Sequence, residues 1–137
     1  MTTAADIMHP GAQWISATET LDQAAQLMRD LDVGALPISA SDERMCGILT
    51  DRDIVLGCIA RDGDPYRTTA GDLAQGTPRW ISADADIAEV LQEMRGNQIR
   101  RLPVIDGKTL VGMISEADLA QHLPDDQIAS FVEGVYT

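Results

Sequence analysis

A hydroxyl residue followed three positions later by aspartate occurs twice, as Thr50 with Asp53 and as Ser115 with Asp118. At a helix start such a pair forms a capping box, in which the hydroxyl and the carboxylate each accept a bond from a backbone N–H group. The same position also suits a ligand. Free N–H groups and a partial positive charge favour a phosphate, and the aspartate can accept two hydrogen bonds from a ribose diol. The two interpretations are compatible, and the spacing alone does not separate them.

These pairs belong to a duplication that covers most of the chain. The repeated segments are WISA at 14–17 and 80–83, LPI at 36–38 with LPV at 102–104, and GILTDRDI at 47–54 with GMISEADL at 112–119. A repeat of this length is a supersecondary unit, and paired copies bury a face that neither copy buries alone. Two copies also create two related clefts, where we expect the functional residues to lie.

Hydrophobic periodicity predicts the same order of elements in each copy, namely strand, helix, strand, strand, helix. The predicted fold class is therefore α/β, an α+β sandwich of two β-α-β-β-α repeats with approximate two-fold symmetry. The first repeat is assigned to residues 1–63, and residues 64–137 are assigned to a linker, the second repeat and a C-terminal helix. The strand at 45–49 is nearly all apolar, so burial on both faces is expected, and Pro37 predicts an edge or bulge position.

Capping residues and apolar spacing predict the helices. Thr20 with Gln23 and Asp86 with Glu89 are expected to begin the first helix of each repeat, and Gly34 is expected to end the first of these. A closing helix is predicted from apolar residues at helical spacing, which are Ile128, Phe131, Val132 and Val135.

Composition narrows the setting in which the protein works. A chain of 137 residues suits one compact domain and leaves no room for a separate catalytic domain. Its formal net charge of −12 disfavours binding to nucleic acid or to an anionic membrane surface. No apolar stretch approaches the length of a bilayer span, and no signal peptide is recognisable. We therefore expect a cytoplasmic protein in which Cys46 and Cys58 are buried and reduced.

The sequence contains no recognisable set of catalytic residues. His9 and His122 are the only histidines, and neither has the spacing typical of metal ligands. No base is placed to activate a nucleophile. We therefore expect neither an enzyme nor a metal site, and metal binding by these histidines with surface carboxylates is a third, weaker hypothesis.

Taken together, the motifs resemble a pair of cystathionine-β-synthase-type (CBS) domains, the arrangement called a Bateman module. The matching segments are DIM at 6–8, VGALPI at 33–38 and GILTDRD at 47–53, with IRRLPV at 99–104 and GMISEAD at 112–118. The resemblance covers essentially the whole chain. It implies a sensor that binds an adenosyl compound such as AMP, ATP or S-adenosylmethionine in the cleft between the repeats, and it implies a dimer.

The resemblance also implies roles for particular residues. In the family's pattern the acid of the motif binds ribose and the hydroxyl lies near ribose and phosphate, which assigns Thr50 with Asp53 to one site and Ser115 with Asp118 to the other. The strand edges are expected to form the adenine wall. The residues expected there are Ser16, Ala17, Ser82 and Ala83 for backbone contacts to the base, and Leu36, Pro37, Leu102 and Pro103 as apolar flanks. For Leu36 and Leu102, a plain core position is the alternative.

The two copies differ in the charges near the expected clefts. Arg100 and Arg101 stand where the first copy has Gly34 and Ala35, and an arginine fork matches phosphate oxygens. Ion pairs with carboxylates such as those of Asp30, Asp32 or Asp118 are the alternative. Arg52, which Ala117 replaces in the second copy, adds to the asymmetry, so we expect unequal sites.

The predicted function is that of a stand-alone regulatory module that binds an adenosyl nucleotide, has no obligatory cofactor, and signals energy or stress state. Its expected partners are a second copy of the chain and an effector protein in trans. The alternative is a stress-induced structural or interaction protein of the same fold that binds no nucleotide. The dimer contact is expected on the helices that follow each third strand, through Ile54, Val55, Ile59, Leu119 and Leu123.

Overall fold

The structure is a computed structural model that describes residues 2–40, 44–74 and 79–136. In chain order, the helices and strands are α1 (Ala4–Ile7), β1 (His9–Pro10), β2 (Ile15–Ser16), α2 (Leu21–Leu31), β3 (Ala35–Ser39), β4 (Met45–Thr50), α3 (Asp51–Gly57), a 3-10 turn (Ile59–Arg61), α4 (Ala70–Leu73), β5 (Ile81–Ser82), α5 (Ile87–Gly96), β6 (Arg101–Asp106), β7 (Thr109–Ser115), α6 (Glu116–His122) and α7 (Asp125–Tyr136). The predicted order of strand, helix, strand, strand, helix is confirmed in both copies, and so is the predicted fold class.

The chain forms two compact units, each with its own core. The first-repeat unit is Gln13–Pro78, and the second-repeat unit combines Met1–Ala12 with Arg79–Thr137. The boundary predicted between residues 63 and 64 divides the sequence into its two repeats. The compact units differ from it, because the N-terminal segment packs with the second repeat and residues 64–74 pack with the first.

The first-repeat unit contains a three-stranded sheet in the order β2-β3-β4, in which β3 is parallel to β2 and antiparallel to β4. The amphipathic helix α2 covers one face of the sheet with its apolar stripe. The buried core residues are Ile15, Leu21, Ala24, Met28, Leu36, Ile38, Leu49, Ile54, Cys58 and Ala70.

The second-repeat unit contains a four-stranded sheet in the order β1-β7-β6-β5, in which β1 adds an antiparallel edge next to β7. The closing helix α7 is confirmed and buries Phe131 and Val135, whereas Val132 is exposed. No helix in the described part of the chain is long and apolar enough to cross a membrane.

Three short elements were not predicted, namely α1, β1 and α4. The two short helices are equivalent in the duplication, since Thr3 precedes α1 and Thr69 precedes α4 with the same spacing to an aspartate. A single helical turn is too short to produce a hydrophobic period, so the pattern gave no signal.

Each short helix is bonded to the strand that begins the other copy. In both units, two of its N–H groups donate to carbonyl groups that follow that strand: Ala4 to Ala85 (2.8 Å), Ala5 to Ala83 (3.0 Å), Ala70 to Glu19 (2.8 Å) and Gly71 to Ala17 (2.8 Å). Each short helix therefore packs with the repeat that it does not precede in sequence. Helix α1 precedes the first repeat but lies in the second-repeat unit, and α4 precedes the second repeat but lies in the first-repeat unit.

Thr20 is the N-cap of α2, as predicted, but the predicted capping box and the predicted end at Gly34 are wrong. The Thr20 side chain caps no backbone N–H group, and Gln23 does not complete a box. The Thr20 hydroxyl instead donates to the Asp22 carboxylate. The helix ends at Leu31 because Asp32 adopts a left-handed conformation with φ of 55°, two residues before Gly34. The cap at the start of α5 is confirmed, since Asp86 accepts from the Glu89 N–H.

Two predictions about the strands are corrected. β4 is not buried on both faces, because Gly47 and Leu49 are buried while Cys46 and Ile48 are half-buried. Pro37 does not lie on an edge strand, since β3 is central. The missing N–H group is tolerated there because β2 pairs only with Ile38 and Ser39, the two residues that follow Pro37. A bulge in the ladder with β4 lies between these two residues.

Candidate functional site

The first-repeat box is the capping box of Thr50 and Asp53, and it lies where β4 ends and α3 begins. Thr50 is the last residue of the strand and the N-cap of the helix. The Thr50 N–H donates to Asp53 Oδ2 at 2.9 Å, and the Asp53 N–H donates to Thr50 Oγ1 at 3.1 Å. The capping interpretation is confirmed, and the box fixes the orientation of the carboxylate.

The second-repeat box repeats this geometry between β7 and α6. The Ser115 N–H donates to Asp118 Oδ2 at 2.8 Å, and the Asp118 N–H donates to Ser115 Oγ at 3.4 Å. The Ser115 hydroxyl also donates to Asp118 Oδ2 at 3.1 Å. Both repeats therefore hold their aspartate by the same oxygen.

The second oxygen of each carboxylate bears on ligand binding. Among the described residues, every hydrogen bond to the side chains of Asp53 and Asp118 ends on Oδ2, and both residues are half-buried. A carboxylate oxygen has two acceptor positions. Each Oδ1 therefore remains an acceptor for a ligand hydroxyl while Oδ2 caps the helix.

The helix starts are poor phosphate sites on their own. Each helix has seven residues and carries two acidic residues in its first turn, Asp51 with Asp53 in α3 and Glu116 with Asp118 in α6. Their negative charges oppose the partial positive charge of the helix end. A phosphate held beside either box needs a nearby cation.

Strand register shows which candidates share a face with the boxes. Thr50 lies opposite Ala35, and Pro37 lies two residues further along β3. Residues that lie directly opposite, and residues two apart along a strand, point to the same side of a sheet. The equivalent residues in the second repeat are Arg101 and Pro103, with Ser115 opposite Arg101. Both prolines therefore lie on the face that carries the hydroxyl and the carboxylate.

Leu36 and Leu102 point to the other face. Leu36 is 1% exposed and Leu102 is 0% exposed, and each belongs to the hydrophobic core of its unit. Their position favours the core alternative over a ligand contact. Consecutive residues on both faces of β3 and β6 are buried, so an apolar sequence pattern could not separate these core positions from ligand contacts.

The base-edge candidates lie at the opposite end of each sheet from the boxes. Ser16 pairs with Ser39, while Thr50 pairs with Ala35. These partners are four residues apart on β3, which is roughly 13 Å at the usual rise of a strand. The second repeat has the same arrangement, since Ser82 pairs with Ile105 at the far end of β6. Within one repeat, the two residues expected to contact the base (Ser16 with Ala17, or Ser82 with Ala83) are therefore distant from the capping box.

The backbone groups expected to contact a base are partly used. The Ala17 N–H donates to the Ser39 carbonyl at 2.9 Å, and the Ala83 N–H donates to the Ile105 carbonyl at 3.1 Å. Both alanine carbonyls also accept a bond from a short helix. What each can offer a ligand is the second acceptor position of its carbonyl oxygen.

The three arginine candidates differ in their surroundings. Arg52 and Arg100 are exposed, whereas Arg101 is half-buried and is the first residue of β6. Within the described parts of the chain, no ion pair involves Arg101, so the pairing alternative with Asp118 is not realised for this residue. The geometry thus places one of the two adjacent arginines beside the second-repeat box.

Comparison with known proteins identifies the family. The family model described as CBS domain matches residues 4–58 and 70–125. The chain belongs to the CBS domain family. CBS domains are generally regulatory and non-catalytic modules.

Hypoxic response protein 1 from Mycobacterium tuberculosis is 48% identical to this CBS-pair chain over 135 residues, which are 98% of this chain and 94% of the relative. A crystal structure of Hypoxic Response Protein I with two coordinated zinc ions is 50% identical, with a TM-score of 0.78, over 90% of this chain and 100% of that one. The crystal structure of CBSX2 in complex with AMP has a TM-score of 0.68 over 88% of this chain and 95% of that chain. At 21% identity, it shows the shared fold alone.

Zinc in one relative prompts the question of whether this chain offers metal ligands. No three His, Cys, Asp or Glu side chains lie close enough together to hold a metal ion in residues 2–40, 44–74 and 79–136. His9 is exposed on β1, and His122 Nδ1 lies 2.8 Å from the Asp118 carbonyl oxygen. The described residues of one chain therefore do not fit a metal site.

Cys46 and Cys58 are free thiols, of which Cys58 is buried and Cys46 half-buried.

Proposed function

We propose that this CBS-pair protein is a regulatory module that binds an adenosyl nucleotide, such as AMP or ATP, and signals energy or stress state. One observation carries the proposal. Each repeat holds a half-buried aspartate by Oδ2, which accepts the capping bonds, and leaves Oδ1 without a partner among the described residues. The family membership and the complex of CBSX2 with AMP support it.

The ribose diol is the part of the ligand that Asp53 and Asp118 would hold. Both diol hydroxyls are donors, and a carboxylate is an acceptor only, so the two groups match in polarity. Adenine and ribose are joined directly, yet the base-edge pair and the box of one repeat lie at opposite ends of a sheet. One unit taken alone therefore does not supply both the ribose contact and the base contact to the same ligand.

The test begins with the protein as purified. Mass spectrometry of the small molecules that it releases should detect an adenosyl compound. A thermal-shift series with AMP, ADP, ATP, NAD and S-adenosylmethionine should raise the melting temperature by several degrees. The expected stabilisation is about 2.7 kcal/mol when the ligand is at one hundred times its Kd. No released adenosyl compound and no shift at millimolar concentration would contradict the proposal.

The second candidate function is that of a structural or interaction protein that binds no nucleotide. The reciprocal capping bonds favour it, because they give Asp53 and Asp118 a role in helix stability without any ligand. The thermal-shift series separates the two functions, since this candidate requires that every compound fail. An effector protein in trans and a cytoplasmic location remain predictions under either function.

We further propose that two copies associate through the α3 region of the first-repeat unit. Val55 is 54% exposed, Leu56 is 46% exposed and Ile59 is 52% exposed. Val55 and Leu56 are adjacent on α3, and Ile59 begins the 3-10 turn that follows it. The predicted contact of the second repeat is not available, because Leu119 is 1% exposed and Leu123 is 8% exposed within their own unit. A two-fold contact between α3 regions buries the same patch on both copies.

A further inference from the structure

Equivalent positions beside the two boxes carry different charges. Arg101 begins β6 and lies opposite Ser115, whereas Ala35 begins β3 and lies opposite Thr50. We call Arg101, Ser115 and Asp118 the second-repeat site, and Ala35, Thr50 and Asp53 the first-repeat site. The strand register makes position 35 and position 101 true counterparts, so the difference concerns the sites themselves.

The side chain of Arg101 is on the same face as the second-repeat box. Directly opposed residues of an antiparallel pair have Cβ atoms about 5 Å apart and point the same way. Asp118 Oδ2 is bonded to the Ser115 hydroxyl, so the carboxylate is next to this pair. A ligand bonded to Asp118 Oδ1 is therefore within the range of the longer guanidinium side chain.

Protein carboxylates in the described part of the chain do not neutralise Arg101 by an ion pair. A half-buried guanidinium interacts more strongly with an anion than an exposed one does, because the local dielectric constant is lower. At the counterpart position, Ala35 is 6% exposed and offers only a methyl group. Arg52 is the nearest arginine in sequence to the first-repeat box, but its side chain is exposed and water screens its charge.

Acidic residues at the start of α3 and α6 repel an anion, so the presence or absence of an arginine beside the box determines whether a phosphate can bind there. In the first-repeat site, Asp51 and Asp53 repel a phosphate, and the described strand residues of that sheet include no lysine or arginine. In the second-repeat site, Arg101 offsets part of that repulsion and can bond two phosphate oxygens at once. An uncharged adenosyl group avoids the repulsion at both sites.

We propose that the two sites select ligands of different charge. The second-repeat site takes phosphate-bearing adenosyl ligands, with Arg101 as the residue that determines this specificity. The first-repeat site takes adenosyl groups without a phosphate. This inference rests on the proposed function, in which Asp53 and Asp118 each hold a ribose.

Calorimetry with AMP and with adenosine tests the inference one site at a time. Asp53→Asn weakens the first-repeat site and Asp118→Asn weakens the second, so each variant reports mainly on the other site. In Asp53→Asn the affinity for AMP should exceed that for adenosine by about ten-fold or more. In Asp118→Asn the preference for AMP should be absent.

Arg101 variants then test the residue directly. In the Asp53→Asn background, Arg101→Ala should lower AMP affinity about ten-fold and leave adenosine affinity unchanged, and Arg101→Lys should keep part of the preference. Arg29→Ala, which makes the same change in net charge in the other unit, should not alter the ratio. Ala35→Arg should raise AMP affinity at the first-repeat site. Because Ala35 is buried, Arg101→Ala remains decisive if this variant does not fold.

The outcomes separate the two proposals. If neither AMP nor adenosine binds the wild-type protein, the proposed function fails, and the inference fails with it. If both bind and Arg101→Ala leaves their affinity ratio unchanged, the inference alone is overturned. Loss of the ratio in both Arg101→Ala and Arg29→Ala would also overturn it, because long-range charge would then explain the preference.

Discussion

At the scale of single residues, each box aspartate serves two purposes with two oxygens. Oδ2 of Asp118 accepts the backbone and hydroxyl bonds that begin α6, and Oδ1 points to no partner among the described residues. A substitution that keeps one acceptor and loses the other therefore separates capping from ligand binding. Asparagine does this, because its amide has one acceptor oxygen and a nitrogen that only donates.

Asp118→Asn is expected to keep the fold and lose the ligand. The amide oxygen can replace Oδ2 in the cap, which leaves the NH₂ group facing the donor hydroxyls of a ribose. Asp118→Ala should lose binding as well and cost about 1 kcal/mol of stability, since the cap bond is also removed. Each lost bond to the charged group is worth roughly 1.5–3 kcal/mol, so affinity should fall ten-fold or more in both variants. Calorimetry with AMP and urea unfolding measure the two effects, and unchanged affinity in Asp118→Asn would exclude the ribose role.

Asp6 gives a prediction about pH. The Thr3 N–H donates to Asp6 Oδ2 at 2.8 Å, and this bond lowers the pKa of Asp6 below its ordinary value of 3.8. A lowered pKa in the folded state means that the ionised form stabilises the fold. Its contribution is complete above the unfolded pKa and disappears as the pH falls through the folded pKa. The difference in stability between wild type and Asp6→Asn should therefore be larger at pH 7 than at pH 2, measured by urea unfolding. An equal difference at both pH values would contradict it.

At the scale of elements, the sequence predicted what periodicity and capping chemistry encode. The helices α2 and α5 were found because eleven and ten residues contain several turns of an apolar stripe. The boxes at Thr50 and Ser115 were found because a cap needs only local residues. The short helices, the edge strand β1 and the separation of base-edge residues from boxes were not found. These depend on strand register and on contacts between distant segments, which local patterns do not contain.

Two glycines at equivalent positions of β4 and β7 show how such contacts constrain a strand. A Cβ atom on Gly112 would lie 2.5 Å from Met8 Sδ and 2.7 Å from the His9 carbonyl oxygen, whereas one on Gly47 would meet Ala74 Cβ at 3.2 Å. The backbone of β1 must move to admit the first methyl group, but only a small shift is needed for the second. The glycine of β7 is therefore required by the close approach of β1.

Gly112→Ala should destabilise the protein by about 1–3 kcal/mol, since it overpacks the contact with β1. Gly47→Ala is the matched control and should be nearly neutral, because the lower entropy of the unfolded chain offsets a small strain. Urea unfolding measures both, and hydrogen exchange at β1 should increase in Gly112→Ala alone. Equal losses of stability in the two variants would count against this account.

At the scale of the whole molecule, the duplicated chain is symmetric in its elements and asymmetric in its surface. The helices after each third strand are equivalent, yet Val55 and Leu56 correspond to Ala120 and Gln121. The closing helix α7 packs against α5 and α6 within the second-repeat unit. An exposed apolar patch therefore remains on the first repeat, and it predicts how copies of the chain associate.

Val55→Asp should convert a dimer into a monomer at micromolar concentration, because a charge at the centre of a symmetric contact is buried twice. Val132→Asp introduces the same change at a comparably exposed valine on α7 and should leave the mass unchanged. Light scattering of both variants and of wild type provides the measurement. A wild-type protein that is monomeric, or a dimer that survives Val55→Asp, would show that the α3 region is not the contact.

The use of the N-terminal segment by the second-repeat unit has a consequence for synthesis on the ribosome. The first-repeat unit is continuous in sequence, so it can fold as soon as its last residues emerge. Residues 1–12 are translated before that unit but must wait for β7, which is translated after the whole first-repeat unit. A nascent or truncated chain in which β1 is absent from the sheet exposes the edge of β7, and unpaired strand edges recruit other chains. A bulky tag fused close to α1 is therefore expected to promote aggregation through the second repeat.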